Sequence, residues 1–173
     1  LQYTLYKQWR ELKRYAGGKN IKVIGDLPIF VAHDSCDVWA NRELFQLDEN
    51  GLPLKVAGVP PDYFSKTGQL WGNPHYDWQA MYQDDYRWWR KRFQMLFKIV
   101  DIVRIDHFRG FEGYWEVPAS EETAENGRWV KGPGKRFFSS MERFIGKLPV
   151  IAEDLGVITP SVVKLREKFN FPG

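Results

Sequence analysis

Apolar side chains along the chain change from helical spacing to short continuous runs and back. Residues 2–16 carry them three or four apart, which predicts an amphipathic helix that ends at two glycines. A short β-rich run at 21–27 predicts a buried strand that stops at Pro28. Residues 28–76 lose regular spacing and are rich in Pro, Gly, Asp and Asn. We therefore expect a structured loop insertion that covers a site.

Further along, helical and extended patterns alternate, with one more irregular stretch at 107–134. We also expect a short hairpin within the insertion, around the turn-forming sequence DENG, with residues 44–47 pairing with 52–56. Asp77 and Thr159 are predicted helix caps, and Pro160 suits a first helical position. The remaining predicted elements are helices at 77–98, 135–144 and 160–168 and strands at 100–106 and 149–153.

This alternation of helices and short apolar strands predicts an α/β fold with parallel strands and right-handed crossovers. Two architectures remain open, a doubly wound sheet and an arc of a (β/α)₈ barrel. A complete barrel needs about 250 residues, whereas the chain has 173. In both architectures function is expected at the carboxyl ends of the strands. No glycine-rich phosphate loop follows any predicted strand, which argues against nucleotide binding.

Composition narrows the class of protein further. Hydrophobic residues make up 43% and charged residues 27%, which is typical of a globular domain. A net charge of +3 with scattered basic residues argues against a nucleic-acid partner, and no apolar run is long enough to span a membrane. Aromatic residues reach 16%, including 8 Trp, and favour either an aromatic core or sugar-binding surfaces.

The cysteine count and the first residues of the chain bear on the cellular compartment of the protein. A single cysteine, Cys36, excludes an internal disulfide and favours a reducing compartment, so we expect a cytoplasmic protein, or a plastid one if the source is a plant. The polar first residues have no apolar core of a signal peptide. Because the chain lacks an initiator Met, we expect it to be a piece of a longer protein.

Charged residues stand at the ends of all three predicted strands. Asp26 ends the first, Arg104 and Asp106 end the second, and Glu153 and Asp154 end the third. Carboxyl ends of parallel strands share one edge of a sheet, so these groups could form a common acidic site. The alternative is that each carboxylate only pairs with a Lys or Arg at a loop edge, and the spacing leaves both open.

Arg104 and Asp106 are two residues apart, so their side chains share one face of the strand. The guanidinium favours the ionised form of the neighbouring carboxylate, the form required of a nucleophile at a sugar anomeric carbon. Glu153 follows apolar residues, a setting that suits a proton donor. Retaining glycoside chemistry uses two such carboxyls about 5–5.5 Å apart. Neighbouring strands lie about 4.8 Å apart, so this chemistry is feasible.

Four segments carry most of these residues. They are 24–31 (IGDLPIFV), 58–74 (GVPPDYFSKTGQLWGNP), 103–110 (VRIDHFRG) and 151–156 (IAEDLG). The third resembles the nucleophile strand of the α-amylase superfamily. Together the four resemble the third strand, active-site lid, nucleophile strand and acid/base strand of the amylomaltase family, also called 4-α-glucanotransferase or disproportionating enzyme.

The resemblance implies that residues 1–173 are part of a (β/α)₈ catalytic barrel, with the lid inside the insertion 28–76. It implies a nucleophile, Asp106, that forms a covalent glucosyl-enzyme, a general acid/base, Glu153, and an orienting cation, Arg104. The implied sugar-binding residues in the cleft are Asp26, Trp71, Asn73 and His107, and those of the lid are Asp62, Tyr63 and Phe64.

The implied activity is transfer of α-1,4-glucan segments between malto-oligosaccharides, without a cofactor or metal. A hydrolase of the α-amylase type and an inactive glucan-binding piece are the alternatives. The family also uses a third carboxylate, an Asp in a His-Asp motif after a later strand, and no such motif follows Glu153. We therefore expect these residues to match a central portion of the catalytic domain, with little transferase activity in isolation.

Several other residues are not expected to take part in catalysis. His75 is expected to be a solvated or locally bonded loop residue, Cys36 a small buried group, and Trp89 a packing residue. Trp115 and Trp129 follow the second strand, and both core packing and a glucan-binding surface remain open for them.

Overall fold

The computed structural model describes all 173 residues. It contains six helices, two short 3₁₀ turns and seven strands in two sheets. The helices are α1 (Gln2–Gly18), α2 (Cys36–Ala40), α3 (Trp78–Gln83), α4 (Arg87–Phe97), α5 (Gly134–Ile145) and α6 (Pro160–Lys168). The strands are β1 (Ile24–Pro28), β2 (Lys55–Val59), β3 (Gln69–Pro74), β4 (Ile102–Asp106), β5 (Gly113–Pro118), β6 (Arg128–Lys131) and β7 (Val150–Ala152).

Three strands, one from each predicted apolar run, form a parallel sheet in the order β1-β4-β7. Alternate residues bury one face of the sheet, with Leu27, Ile105 and Ala152 at most 3% exposed. The polar residues two apart in β4, Arg104 and Asp106, lie on the opposite face. The predicted α/β class with parallel strands is confirmed, and it brings the acidic strand ends to one edge.

A second sheet is antiparallel, in the order β3-β2-β5-β6. It is built from the two regions 28–76 and 107–134, which the sequence pattern predicted to be irregular, so that prediction was incomplete. The strands are short and lack a clean alternation of apolar and polar residues. At Gly58 the neighbouring strand is so close that an added Cβ would lie 2.4 Å from the Gln69 carbonyl oxygen.

The hairpin predicted around the DENG turn forms only next to the turn. Leu47 and Pro53 make one isolated antiparallel bridge, and Asp48 donates its amide to the Leu52 carbonyl at 2.8 Å. The pairing does not continue because residues from Lys55 onward join the larger antiparallel sheet instead.

The single helix predicted at 77–98 is two helices, so its continuity was wrongly predicted. Asp77 does cap α3, since its Oδ1 accepts from the amides of Gln79 and Ala80. The chain then turns through Asp85 and Tyr86, whose φ angles are 56° and 57°. The Tyr86 side chain is buried at this turn.

Aromatic rings fill most of the core between the parallel sheet and its helices. One cluster of 28 buried residues includes the large rings of Trp89, Phe93, Phe111 and Phe137. Trp89 is fully buried, which confirms its packing role. Cys36 is exposed, contrary to prediction, because it begins the short helix α2 while Val38 supplies the buried side chain.

Helix α1 forms as predicted but buries none of its residues. Polar bonds attach it to the segment before β4: Trp9 Nε1 donates to the Ile99 carbonyl at 2.6 Å, and Lys13 Nζ donates to that of Val100 at 2.8 Å. None of the six helices combines the length and apolar character that a membrane crossing requires.

Candidate active site

The end of the parallel sheet brings one cation between two carboxylates. The β1–β4 register sets Asp26 opposite Arg104, and Arg104 Nη1 donates to Asp26 Oδ1 at 2.6 Å. Arg104 Nη2 donates to Asp106 Oδ1 at 3.1 Å. The hydrogen bond with Asp26 is the main cause that raises the pKa of Arg104. Asp106 is thus fixed in direction by a cation that both carboxylates share.

Glu153 joins this group through the backbone. Its amide donates to the Ile105 carbonyl at 3.0 Å, which extends the β4–β7 register by one residue. Its Oε2 accepts a 2.7 Å bond from the amide of His107. That amide is available because His107 adopts a left-handed conformation, with φ 56°, directly after the strand. The Asp106 and Glu153 carboxyls therefore lie on neighbouring strand ends.

The imidazole of His107 faces an aromatic wall. Its ring lies 4.8 Å from that of Trp71 in an edge-on contact and 6.3 Å from that of Phe30. Burial lowers the pKa of His107 to about 4, and the positive charge of Arg109 adds to the effect. The ring is neutral at physiological pH, so it can donate one hydrogen bond and accept another.

The predicted lid residues form an exposed turn between β2 and β3. Asp62 Oδ1 accepts from the amides of Phe64 and Ser65 at 2.8 and 2.7 Å, which closes the turn. Tyr63 and Phe64 are 97% and 92% exposed, and their rings contact each other edge-on. The contacts of this turn are internal, and it is not packed against the strand-end carboxylates.

The two predicted cleft residues of β3 differ in position. Trp71 reaches His107 and bonds Gln69 Oε1 through its indole nitrogen at 3.0 Å. Asn73 instead donates its side-chain amide to the Val31 carbonyl at 2.9 Å, so it attaches the strand to the segment after β1. The structure thus gathers Asp26, Trp71, Arg104, Asp106, His107 and Glu153, and leaves Asp62, Tyr63, Phe64 and Asn73 outside that group.

Sequence reasoning expected His75 to be a solvated or locally bonded loop residue, and a solvated position is wrong. The residue is 0% exposed, and its ring packs 4.5 Å from Tyr114 and 5.2 Å from Phe30. Burial lowers the pKa of His75 to about 4, although the backbone of Val56 and Trp115 partly opposes this shift. His75 and Phe30 form the support behind the Trp71–His107 contact. His75 directly follows β3, and no apolar periodicity around it signals this burial.

Trp115 and Trp129 take part in packing of the antiparallel sheet. Their rings lie 5.3 Å apart, and Trp115 Nε1 donates to the Ala124 carbonyl at 2.8 Å. The guanidinium of Arg109 lies 3.8 Å from the centre of the Trp129 ring. No group of three or more His, Cys, Asp or Glu side chains is placed to hold a metal ion.

Comparison with known proteins connects this geometry to one family. The family model described as 4-alpha-glucanotransferase matches residues 1–173. The chain is 59% identical over 175 residues to the 4-alpha-glucanotransferase of Synechocystis, covering 100% of the chain and 35% of that protein. It is 51% identical over 172 residues to the chloroplastic/amyloplastic 4-alpha-glucanotransferase of Solanum tuberosum, covering 99% of the chain and 30% of that protein.

A solved structure agrees at the level of the fold. The amylomaltase of Streptococcus agalactiae, in complex with acarbose, superposes with a TM-score of 0.96 at 48% identity, covering 99% of this chain and 35% of that one. The chain thus spans about a third of the length of the relatives it matches. The family model matches every residue from 1 to 173, and the fold agrees with the solved amylomaltase. The chain therefore belongs to the 4-alpha-glucanotransferase family.

Proposed function

We propose that the protein transfers α-1,4-glucan segments between malto-oligosaccharides by a retaining double displacement. The observation that carries the proposal is the strand-end group in which Arg104 joins Asp26 to Asp106 while Glu153 binds the turn that follows Asp106. It supplies an oriented carboxylate and a second carboxyl on the neighbouring strand, as this chemistry requires.

In the first half-reaction, an Asp106 oxygen attacks the anomeric carbon of the donor glucan. The glycosidic bond breaks, and Glu153 gives its proton to the departing sugar oxygen. In the second half-reaction, Glu153 takes the proton from an acceptor hydroxyl, whose oxygen displaces Asp106. The anomeric configuration is inverted twice and so retained.

The surrounding residues have binding roles in this scheme. Arg104 holds Asp106 in the direction of attack, while Asp26, Trp71 and the neutral His107 contact the sugar in the cleft. Asn73 contributes indirectly, because its bond to Val31 fixes the strand that carries Trp71. The wall of Trp71 and His107 offers one aromatic face and one hydrogen-bonding edge, a combination suited to a sugar ring.

The exposed turn of Asp62, Tyr63 and Phe64 would act as the lid. A transferase must admit a sugar hydroxyl and exclude water from its covalent intermediate, and mobile aromatic groups over the site can do both. We propose that both rings close over donor and acceptor glucans. A hydrolase of the α-amylase type would use the same carboxyls with water as the acceptor.

The proposal is tested with the protein expressed from the complete open reading frame that encodes these residues. Incubation with maltotriose should give a ladder of longer oligosaccharides together with glucose. Steady loss of all oligomers without elongation would instead indicate a hydrolase, and no turnover with retained glucan binding would indicate a binding protein. Acarbose, which the S. agalactiae amylomaltase binds, should compete with maltotriose.

For the location of the protein we propose the cytoplasm, or the plastid in a plant. The potato relative is named as a chloroplastic/amyloplastic protein, and a single cysteine fits either reducing compartment. Fractionation of the source cells, followed by immunodetection of the chain, tests this proposal.

A further inference from the structure

The loop that begins at Glu153 is held by very few contacts. Residues 154–158 form no backbone–backbone hydrogen bond. Leu155 and Val157 are exposed, and a Cβ added at Gly156 would meet no atom within 4 Å. In the Glu153 loop (residues 153–158) only Ile158, at its far end, packs against the core. The position of the rest of the loop therefore depends on side chains that reach it from elsewhere.

Two arginines reach this loop. Arg166 of α6 pairs with the Asp154 carboxylate. Arg109, from the 3₁₀ turn that follows the nucleophile strand, donates from Nη1 to the Val157 carbonyl at 3.0 Å. Its Nε donates to the Gly113 carbonyl at 3.2 Å. One guanidinium thus bridges the turn after Asp106, the start of β5 and the far end of the Glu153 loop.

Arg109 is an unusual residue to bury. It is 5% exposed, yet it takes part in none of the ion pairs of the chain. Carbonyl oxygens and the Trp129 ring, 3.8 Å from the guanidinium carbon, surround it instead. Burying a cation with no carboxylate in contact is costly: burial lowers the pKa of Arg109, and only the more distant charge of Glu112 partly offsets this by raising it. A planar guanidinium that bonds two carbonyls and stacks on a ring fixes its neighbours in a way that lysine cannot.

Arg109 also acts on the active site through charge. Its positive charge is the second cause, after burial, that lowers the pKa of His107. His107 in turn donates its backbone amide to Glu153 at 2.7 Å. Arg109 is therefore linked to Glu153 from two sides, through the His107 turn and through the Val157 carbonyl.

We propose that Arg109 is a positioning residue that holds the Glu153 loop against the turn after the nucleophile strand, and so sets where the Glu153 carboxyl lies. This inference rests on the proposed function of Glu153 as acid/base. It also gives Trp129 a role, since the ring supports the plane of the guanidinium.

The test compares two reactions of the protein expressed from the complete open reading frame. Cleavage of maltotriose requires that Glu153 protonate the departing sugar. Fluoride departs from α-maltosyl fluoride without being protonated, and azide can then displace Asp106 without a general base. In Arg109→Lys we expect kcat on maltotriose to fall about 100-fold, with KM within about threefold. The fluoride reaction with azide should stay within about threefold of the wild-type rate.

An equal fall in both reactions would overturn the proposal, because it would indicate general damage to the fold, and so would unchanged kcat on maltotriose. Arg143→Lys is the matched control, since Arg143 pairs with Asp85 away from the site. It should leave both reactions unchanged. If Arg109→Lys does not fold, Trp129→Leu replaces it. That variant should lower kcat on maltotriose by a smaller factor and leave the fluoride reaction unchanged.

Hydrogen exchange separates this proposal from the proposed function. Arg109→Lys should speed amide exchange at least about tenfold relative to wild type at His107 and Leu155, whose amides both donate to the Glu153 carboxyl. Arg143→Lys should not change it. Unchanged exchange in Arg109→Lys would overturn the proposal whether or not the protein elongates maltotriose. A wild-type protein that fails to elongate maltotriose contradicts the proposed function alone.

Discussion

The two sheets of the chain differ in how firmly they hold the side chains near the site. At the end of the parallel sheet, Arg104 bonds Asp26 and Asp106, and Glu153 is bonded through both its amide and its carboxyl. The antiparallel sheet ends in an exposed turn whose contacts are internal. Bond-making groups need fixed positions to react, whereas aromatic rings that cover a flexible glucan can move. Under the proposed function, the parallel sheet supplies the chemistry and the exposed turn covers the glucan.

The largest expected effect concerns the parallel sheet. Asp106→Asn keeps an oxygen that can accept from Arg104 but removes the nucleophile. Turnover of maltotriose should fall by about 10⁴-fold or more, as for other deleted nucleophiles. Product analysis by chromatography measures this loss, and an unchanged thermal midpoint shows that the fold is intact. A variant that keeps more than about one-hundredth of the activity would contradict the assignment.

A second prediction concerns the support between the sheets. Burial lowers the pKa of His75 to about 4, so the unfolded chain takes up this proton near pH 6.5 and the folded chain only near pH 4. The contribution of the neutral His75 ring to the free energy of unfolding is therefore fully present above pH 6.5, and it is lost as the pH falls toward 4. For one buried histidine this loss amounts to about 3 kcal/mol.

Urea unfolding of wild type and His75→Phe at pH 7 and pH 4 measures this contribution. The difference in free energy of unfolding between the two proteins should change by about 3 kcal/mol in favour of the variant at pH 4. Carboxylates titrate in both proteins, so their effect cancels in the difference. A difference that does not change with pH would show that His75 is not held neutral by the fold.

A third prediction concerns Arg104, which orients Asp106 but does not itself react. Arg104→Met removes the cation that orients Asp106, and kcat should fall about 10- to 100-fold, the equivalent of one lost charged hydrogen bond. Arg104→Lys retains the charge but cannot bond both carboxylates in the same geometry, so an intermediate loss is expected. Equal rates for wild type and Arg104→Met would leave Arg104 with no role in orientation.

The smallest effect is expected in the exposed turn. The double variant Tyr63→Ala/Phe64→Ala removes two exposed rings, so stability should change by less than about 0.5 kcal/mol. The ratio of transfer to hydrolysis should fall about tenfold as water gains access to the intermediate. Trp39→Ala, which removes an exposed ring from α2, is the control. An unchanged ratio in the double variant would indicate that other groups exclude water.

The predictable parts of the fold are those with strong local patterns. The parallel strands appear as short apolar runs between helices, and the two-residue spacing of Arg104 and Asp106 places both on one face of β4. Thr159 and Pro160 define the start of α6 because capping is a local interaction. The acidic strand ends converge because parallel strands run in the same direction, and the alternation of helices and strands in the sequence already predicts parallel strands.

The parts that escaped prediction depend on contacts between distant segments. The antiparallel sheet joins β2 to β5, with Gly58 opposite Trp115 and Lys55 opposite Pro118, and its short strands lack alternation. The burial of His75 follows from Phe30 and Tyr114, which lie far from each other in sequence. The break requires two consecutive left-handed residues, Asp85 and Tyr86, and the helical spacing of apolar residues does not signal them.

The most direct test of the central claim is to trap the covalent intermediate. The protein from the complete open reading frame would be incubated with 5-fluoro-α-glucosyl fluoride, digested and mapped by mass spectrometry. We predict one added fluoroglucosyl group on the peptide that contains Asp106, and none in Asp106→Asn. A label on Asp26 or Glu153, or wild-type protein that stays unlabelled while it elongates maltotriose, would contradict the assignment of Asp106 as the nucleophile.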